Sequence, residues 1–373
     1  MASVMVSDFM NIIINCAEKA AVLARVVRSE AIMLKLLIEE KTDKNCKNDR
    51  FVHDFKTLVD VLIQEMVKHE IAAKFPYLTG FVHGEEDNTF TNAIGESVII
   101  EIESTAQETA NVLRRVLNNN EKASQLLAEI IHGDIQCQNN EHIFNKDDTI
   151  NIDNFGIWID PLDGTNEYIS QNVVEAQNGI YSKGLQCVTV LIGIYHRTSG
   201  SPIAGVINQP FHQVLPNGQW QGRSIWALCY NGMNFNSNLH LKTEKDVPKE
   251  HNIKKYTVLL SGSESKTVLQ QLNRDDISIR RASGAGYKLL CVIDDLADAY
   301  VLSKGSTYKW DTCAPHAILL SMKGSIINME NADESTQIVY NQMDPSSAKW
   351  NNSKGIIAFK KLQILEYLKS ILS

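Results

Sequence analysis

Trp158-Ile159-Asp160-Pro161-Leu162-Asp163-Gly164-Thr165 is the stretch on which the reading of this chain turns. Ile157, Trp158 and Ile159 read as the end of a buried strand, with two carboxylates, Asp160 and Asp163, at its exit. Pro161 cannot donate a ladder hydrogen bond and holds its predecessor in extended geometry, which predicts that the strand ends at Asp160. Gly164 permits a tight turn, after which Thr165-Asn166-Glu167-Tyr168 can begin a helix. Two acids at a strand end, facing the exposed N–H groups of a helix start, offer ligands to a divalent cation and a place for phosphate. The plainer alternative is a surface turn in which Asp160 and Asp163 only cap a helix.

Working outward, 373 residues are enough to bury a large core, as one large domain or two closely packed halves. A hydrophobic content of 44% with 21% charged residues is ordinary for a soluble globular protein. The net charge of -8 argues against a general nucleic-acid binder or a binder of acidic membranes. It also means that an anionic substrate needs metals or a few placed Lys and Arg. Seven cysteines (Cys16, Cys46, Cys137, Cys187, Cys229, Cys291, Cys313) are scattered with no C-x-x-C pair, which suits reduced thiols in the cytoplasm. Asp8 comes early, with no basic region before an apolar core, so no secretory signal is expected. Apolar runs such as Val188 to Ile194 are far shorter than a membrane span.

Helical spacing from about Ser7 to Glu40 predicts one long amphipathic helix, followed by a polar run from Lys41 to Arg50. Thr57 stands where an N-cap belongs, with Asp60 at the third helical position and Pro76 closing the helix near Lys74. Capping is the plain reading of Asp60. Phe81-Val82-His83 reads as a short strand that delivers Gly84-Glu85-Glu86-Asp87, three adjacent acids whose plain reading is a solvated loop and which become informative only if a cation lies near, since their repulsion otherwise costs stability. Residues 132–154 and 231–254 are polar and irregular, and predict exposed loops. Strands are expected at 188–195, 203–207, 224–230, 256–260, 277–279, 298–302, 325–327 and 355–359, and helices from Gly284, Thr312 and Gln363. Helices and strands alternate irregularly and include hairpins. An α+β fold follows, with mixed, largely antiparallel sheets sandwiched between helix layers.

Three motifs come close to other chemistries and miss. Aspartate-nucleophile phosphatases need two acids separated by one residue, and Asp160 and Asp163 are separated by two. A calcium loop needs acids at alternate positions, a central glycine and a late glutamate, an order this turn lacks. Ser265-Lys266-Thr267 lacks the glycine of a nucleotide-binding loop before its lysine, and Gly284-x-Gly286 lacks a third glycine, Leu289 taking that place. The latter remains a flexible approach to a phosphate or hydroxyl at a helix start.

Taken together, Thr57-Leu58-Val59-Asp60, Gly84-Glu85-Glu86, the stretch from Trp158 to Thr165 and Trp310-Asp311 resemble the lithium-sensitive, magnesium-dependent phosphatase superfamily. That group includes inositol monophosphatases, fructose bisphosphatases and bisphosphate nucleotidases. Asp54 to Leu58, Gly184 to Thr189, Gly205 to Phe211, Gly284 to Lys288 and Lys309 to Asp311 resemble its inositol polyphosphate branch, and the likeness covers nearly the whole chain.

The resemblance implies a layered α-β-α-β-α sandwich formed by residues 1–373 as one unit. Residues 1–200 would be the metal-bearing half, and 201–373 would add Asp311 and substrate contacts. It implies two or three magnesium ions on Asp60, Glu85, Asp160, the backbone carbonyl of Leu162, Asp163 and Asp311, all oxygen donors as magnesium requires. Thr165, with Asp60 or Glu85 as acidic partner, would orient the attacking water. Substrate contacts would fall on Asp163, Gly164, Thr165, Ser263, Lys266, Gly284, Ala285, Lys288 and the Ser306-Thr307 pair.

Two positions depart from that branch. Gly164 stands where it tends to have serine, and Ser265 where a lysine is expected, with Lys266 one place later. The implied reaction is lithium-inhibited hydrolysis of the 1-phosphate of a soluble inositol polyphosphate, with no nucleic acid, membrane or protein partner. The chemistry fits the residues, because two ions about 4 Å apart can neutralise a phosphate ester, orient water and stabilise a leaving alkoxide. A 3'(2'),5'-bisphosphate nucleotidase, an inositol monophosphatase or a non-catalytic inositol-phosphate-binding protein are the alternatives.

Overall fold

The strand that carries the acidic turn, Phe155–Asp163, is buried along its whole length and sits within a six-stranded sheet. The computed structural model describes residues 3–29, 38–40, 55–92, 95–135, 143–145, 147–170, 172–237, 256–332, 336–344 and 349–372. In the first sheet the strand order is Met233–Asn236, Trp220–Tyr230, Pro202–Val214, Thr189–His196, Phe155–Asp163 and Val82–Gly84. All neighbours are antiparallel except the last pair. The second sheet has five strands, Ile277–Arg281, Tyr256–Leu260, Ala299–Leu302, Ile356–Phe359 and Ser325–Asn328, with two parallel and two antiparallel pairings.

Three apolar cores define five layers. The helices Val6–Ser29 and Leu58–Lys74 bury one face of the first sheet through Phe9, Ile13, Leu62 and Met66. Between the sheets lie the helices Ala285–Ile293 and Lys309–Ser321, packed through Leu289, Leu290, Ile318 and Leu319. Outside the second sheet, Lys266–Gln271 and Leu362–Leu372 cover Val258, Ile357 and Phe359. The expected α-β-α-β-α order is therefore observed. A Cβ at Gly205 would lie 2.4 Å from the Ala314 carbonyl oxygen, so that glycine lets the Lys309–Ser321 helix rest directly on the sheet. Residue 200 falls in the turn between Thr189–His196 and Pro202–Val214, two neighbours of one sheet.

Several boundaries differ from expectation. The first helix ends at Ser29, and Ile38–Glu40 forms a strand antiparallel to Phe55–Thr57, ladder pairing having overridden helical spacing. The run from Lys41 to Arg50 lies outside the described residues. Within the first expected loop, Thr149–Asn151 pairs with Ser3–Met5. Within the second, Met233–Asn236 is an edge strand, while 238–254 lies outside the described residues. The last inter-sheet helix begins at Lys309 rather than Thr312, which puts Asp311 in its first turn.

The central strand does not stop at Asp160. Asp160 pairs with Leu191 and Asp163 with Thr189, so two residues, Pro161 and Leu162, oppose the single Val190. Pro161 is tolerated because it sits in this bulge, where no ladder donation is required. Acids three apart on a regular strand point to opposite faces, and the extra residue brings both onto one. The bulge thus places the two carboxylates side by side.

Candidate active site

Carboxylate oxygens of Asp160, Asp163 and Asp311 all lie within 4.8 Å of one another, joining residues from distant parts of the chain. Asp311 is the third residue of the Lys309–Ser321 helix, and its Oδ2 accepts from the Tyr308 amide at 2.5 Å. Asp60 occupies the same position in Leu58–Lys74, where Oδ2 accepts from the amide and the hydroxyl of Thr57, both at 2.6 Å. The capping reading of Asp60 holds, and its charge also acts on Asp160. Glu85 follows the strand Val82–Gly84, and its amide donates to the Ile159 carbonyl at 3.1 Å.

Burial, then the charges of Glu85, Asp163, Asp311 and Asp60, push the Asp160 carboxyl well above the usual carboxylate range. Asp311 is pushed well up by burial and by Asp163, against the Tyr308 amide. Asp163 is raised by burial, while Lys288 and the amides of Ala285 and Gly286 pull it back. Such a cluster strongly favours a cation or protons. Asp160 Oδ1 is buried without a hydrogen-bond partner, the atom expected to be satisfied by something other than protein. With oxygen donors only, the set fits a hard divalent ion such as magnesium.

A cavity of about 200 Å³ opens over these acids. Of the expected site residues, Glu85, Asp160, Leu162, Asp163, Gly164, Thr165, Gly284, Ala285, Lys288, Ser306 and Asp311 line it. Thr165 Oγ1 donates to the Leu162 carbonyl at 3.1 Å. Ser306 Oγ is buried with no partner. Lys288 is 2% exposed, and its ammonium donates to the carbonyls of Ala282 and Gly284. Asp60, Ser263, Lys266 and Thr307 do not line the cavity. Asp60 is buried, and its charge acts on Asp160. Ser263 contacts Ser261, Lys266 is exposed at the start of its helix, and buried Thr307 accepts from Asn352 at 3.2 Å.

Other residues were not visible from motifs. Gln64, a buried polar residue of the helix Leu58–Lys74, grips both backbone groups of Glu86, accepting from its amide at 2.9 Å and donating to its carbonyl, which fixes the loop bearing Glu85. Thr189 donates to Asp163 Oδ2 at 3.3 Å. Glu167 lines the cavity and accepts from Ser283 Oγ at 2.8 Å and from the Gly184 amide at 2.6 Å. The available signal for Gln64 is a polar residue at helical spacing between the apolar Val61 and Val67. None marked Ser283.

Residues 81–361 match the inositol monophosphatase family. The chain is 40% identical to inositol polyphosphate 1-phosphatase of Mus musculus over 381 aligned positions, which cover 96% of each protein. It is 38% identical to inositol polyphosphate 1-phosphatase of Homo sapiens, covering 98% of this chain and 97% of that one. To 3'(2'),5'-bisphosphate nucleotidase 1 of Homo sapiens it is 30% identical, covering 92% and 88%. Its fold is similar to the crystal structure of extragenic suppressor protein suhB from Bartonella henselae, with a TM-score of 0.54, 15% identity and 98% of both chains covered.

Proposed function

The chain belongs to the inositol monophosphatase family, and from that membership we propose that it is a magnesium-dependent phosphatase that removes the 1-phosphate of soluble inositol polyphosphates. Inositol 1,4-bisphosphate and inositol 1,3,4-trisphosphate are the substrates in view. The observation that carries the reading is the buried cluster of Asp160, Asp163 and Asp311, with Asp160 Oδ1 unpartnered, at the floor of an open cavity. Identity near 40% along almost the whole length to inositol polyphosphate 1-phosphatases supports the substrate class over a nucleotidase.

In this reading, Asp60, Glu85, Asp160, the Leu162 carbonyl, Asp163 and Asp311 hold two or three magnesium ions. Bound there, the ions would neutralise the phosphate ester and make water more acidic. Leu162 can serve both as ligand and as acceptor from Thr165, because a carbonyl oxygen has two lone pairs. The Thr165 hydroxyl aligns the attacking water, and Glu85 or Asp60 takes its proton. The water oxygen bonds to phosphorus as the bond to the ring oxygen breaks, and the alkoxide leaves with a proton from solvent. Ser263, Lys266, Gly284, Ala285, Lys288 and Thr307 are the proposed substrate side of the site.

Lithium inhibits in this reading, and the cytoplasm is the proposed location. No helix among the described residues is long and apolar enough to cross a membrane. Cys16, Cys187, Cys229, Cys291 and Cys313 form no disulfide.

Phosphate release with magnesium from inositol 1,4-bisphosphate, inositol 1-phosphate and adenosine 3',5'-bisphosphate tests the proposal. The largest kcat/KM is expected on inositol 1,4-bisphosphate, with inhibition by lithium. Preference for the adenosine compound would make the chain a nucleotidase, and binding without phosphate release would make it a non-catalytic binder.

A further inference from the structure

The loop from Ser303 to Tyr308 has little regular structure of its own, and it leads directly into the helix whose first turn carries Asp311. It is gripped by a short segment near the C-terminal end of the chain. Asn352 is 3% exposed, and its Nδ2 donates to Thr307 Oγ1 at 3.2 Å, to the Tyr308 carbonyl at 3.1 Å and to Thr312 Oγ1 at 3.3 Å. Its Oδ1 accepts from Lys309 Nζ at 3.0 Å, and its amide donates to the Thr307 carbonyl at 2.7 Å. One side chain therefore engages residues on both sides of Asp311. The Trp350 carbonyl accepts from the Lys309 amide at 2.9 Å, and Asn351 Nδ2 donates to the Gly305 carbonyl at 3.3 Å.

The same segment reaches the other ligand-bearing element. The Trp350 ring meets Trp158 edge-on at 4.8 Å between centroids, and Trp158 lies on the strand that ends in Asp160 and Asp163. Trp158 is 2% exposed and cannot shift without disturbing the sheet. Residues 350–352 thus touch both the strand with two of the acids and the helix start with the third.

We propose that residues 350–352 are a positioning element that fixes Asp311 against Asp160 and Asp163, with Asn352 as its principal residue. The inference rests on the reading of these three acids as cation ligands. Groups that orient metal ligands from behind, when removed, typically cost about 10–100-fold in metal affinity.

Magnesium binding to the full chain, measured by calorimetry without substrate, tests this in the wild type, Asn352→Ala and Asn352→Ser. The expected result is magnesium affinity weakened about tenfold or more in the alanine variant, and by less in the serine variant, whose hydroxyl can restore one bond. The magnesium concentration for half-maximal phosphate release should rise in parallel, with kcat at saturating magnesium recovering. Wild-type affinity in either variant that folds, or a loss of kcat that saturating magnesium does not restore, would overturn the role of Asn352. If Asn352→Ala does not fold, Asn352→Ser decides by the same criteria. Absence of magnesium binding by the wild type would instead remove the ligand assignment beneath it.

Discussion

Asp163 and Gly286, 123 positions apart in the chain, meet at 2.7 Å, with the Gly286 amide donating to Asp163 Oδ2. The Ala285 amide donates to Oδ1 of the same carboxylate at 3.1 Å. Asp163 is thus a candidate metal ligand and also the anion at the N-terminus of the helix Ala285–Ile293, where the helix dipole favours negative charge. The loop from Gly284 to Gly286 consequently serves the acid cluster directly as well as lining the cavity.

Gly286→Ala should therefore damage the site. The added Cβ would stand 2.4 Å from Thr189 Oγ1 and 3.0 Å from Asp163 Oδ2, against a buried threonine that has no room to retreat. Overpacking of this kind costs about 1–3 kcal/mol, and phosphate release should fall at least tenfold as Asp163 is displaced. Assay of the purified variant beside its thermal unfolding checks both. Wild-type activity would mean that Asp163 tolerates movement.

Stability should depend on pH in a direction set by the raised carboxyls. Asp160 and Asp311 bind protons more tightly folded than unfolded. Their stabilising contribution is present at acid pH and is lost as pH rises from the ordinary carboxylate range through their raised values. Magnesium should accordingly raise Tm more at about pH 7.5 than at about pH 5.5, since it replaces protons that have left. Without metal, Asp160→Asn should match or exceed the wild-type Tm at the higher pH, and it should lose most of the magnesium gain. A metal-induced gain independent of pH would count against the cluster as the binding site.

Lys288→Met separates two duties. The Lys288 charge opposes the rise of the Asp163 carboxyl, while its ammonium is engaged by the carbonyls of Ala282 and Gly284 inside the protein. Losses in kcat/KM are expected on inositol 1-phosphate and inositol 1,4-bisphosphate alike. The acid limb of the pH profile should move to higher pH, because Asp163 then protonates more readily. A loss confined to the bisphosphate would assign Lys288 to a second phosphate instead.

Local chemistry was what the sequence made legible. Thr57 and Asp60 declare a helix start by spacing alone, and the structure adds that Asp60 also lies close enough to raise Asp160. The layered fold followed from apolar periods and from resemblance. The continuation of the strand past Pro161 did not, because a bulge depends on the register of Thr189 to Leu191 in a partner strand. Met233–Asn236 carries no strand signal in the sequence because a short edge strand needs only one partner and shows little apolar pattern. Asn352 and Glu167 gave no signal. Their importance lies in hydrogen bonds to segments far away in the chain, and no local spacing encodes those.

The most direct test of the account is phosphate release from inositol 1,4-bisphosphate as a function of magnesium, for the wild type and for Asp163→Asn. The account predicts magnesium-dependent turnover in the wild type. It predicts that the variant, folded by the criterion of its Tm, will be at least about a hundredfold slower at low magnesium, since one ligand charge is gone. Near wild-type turnover by Asp163→Asn at low magnesium, or release of phosphate by the wild type in EDTA, would contradict it.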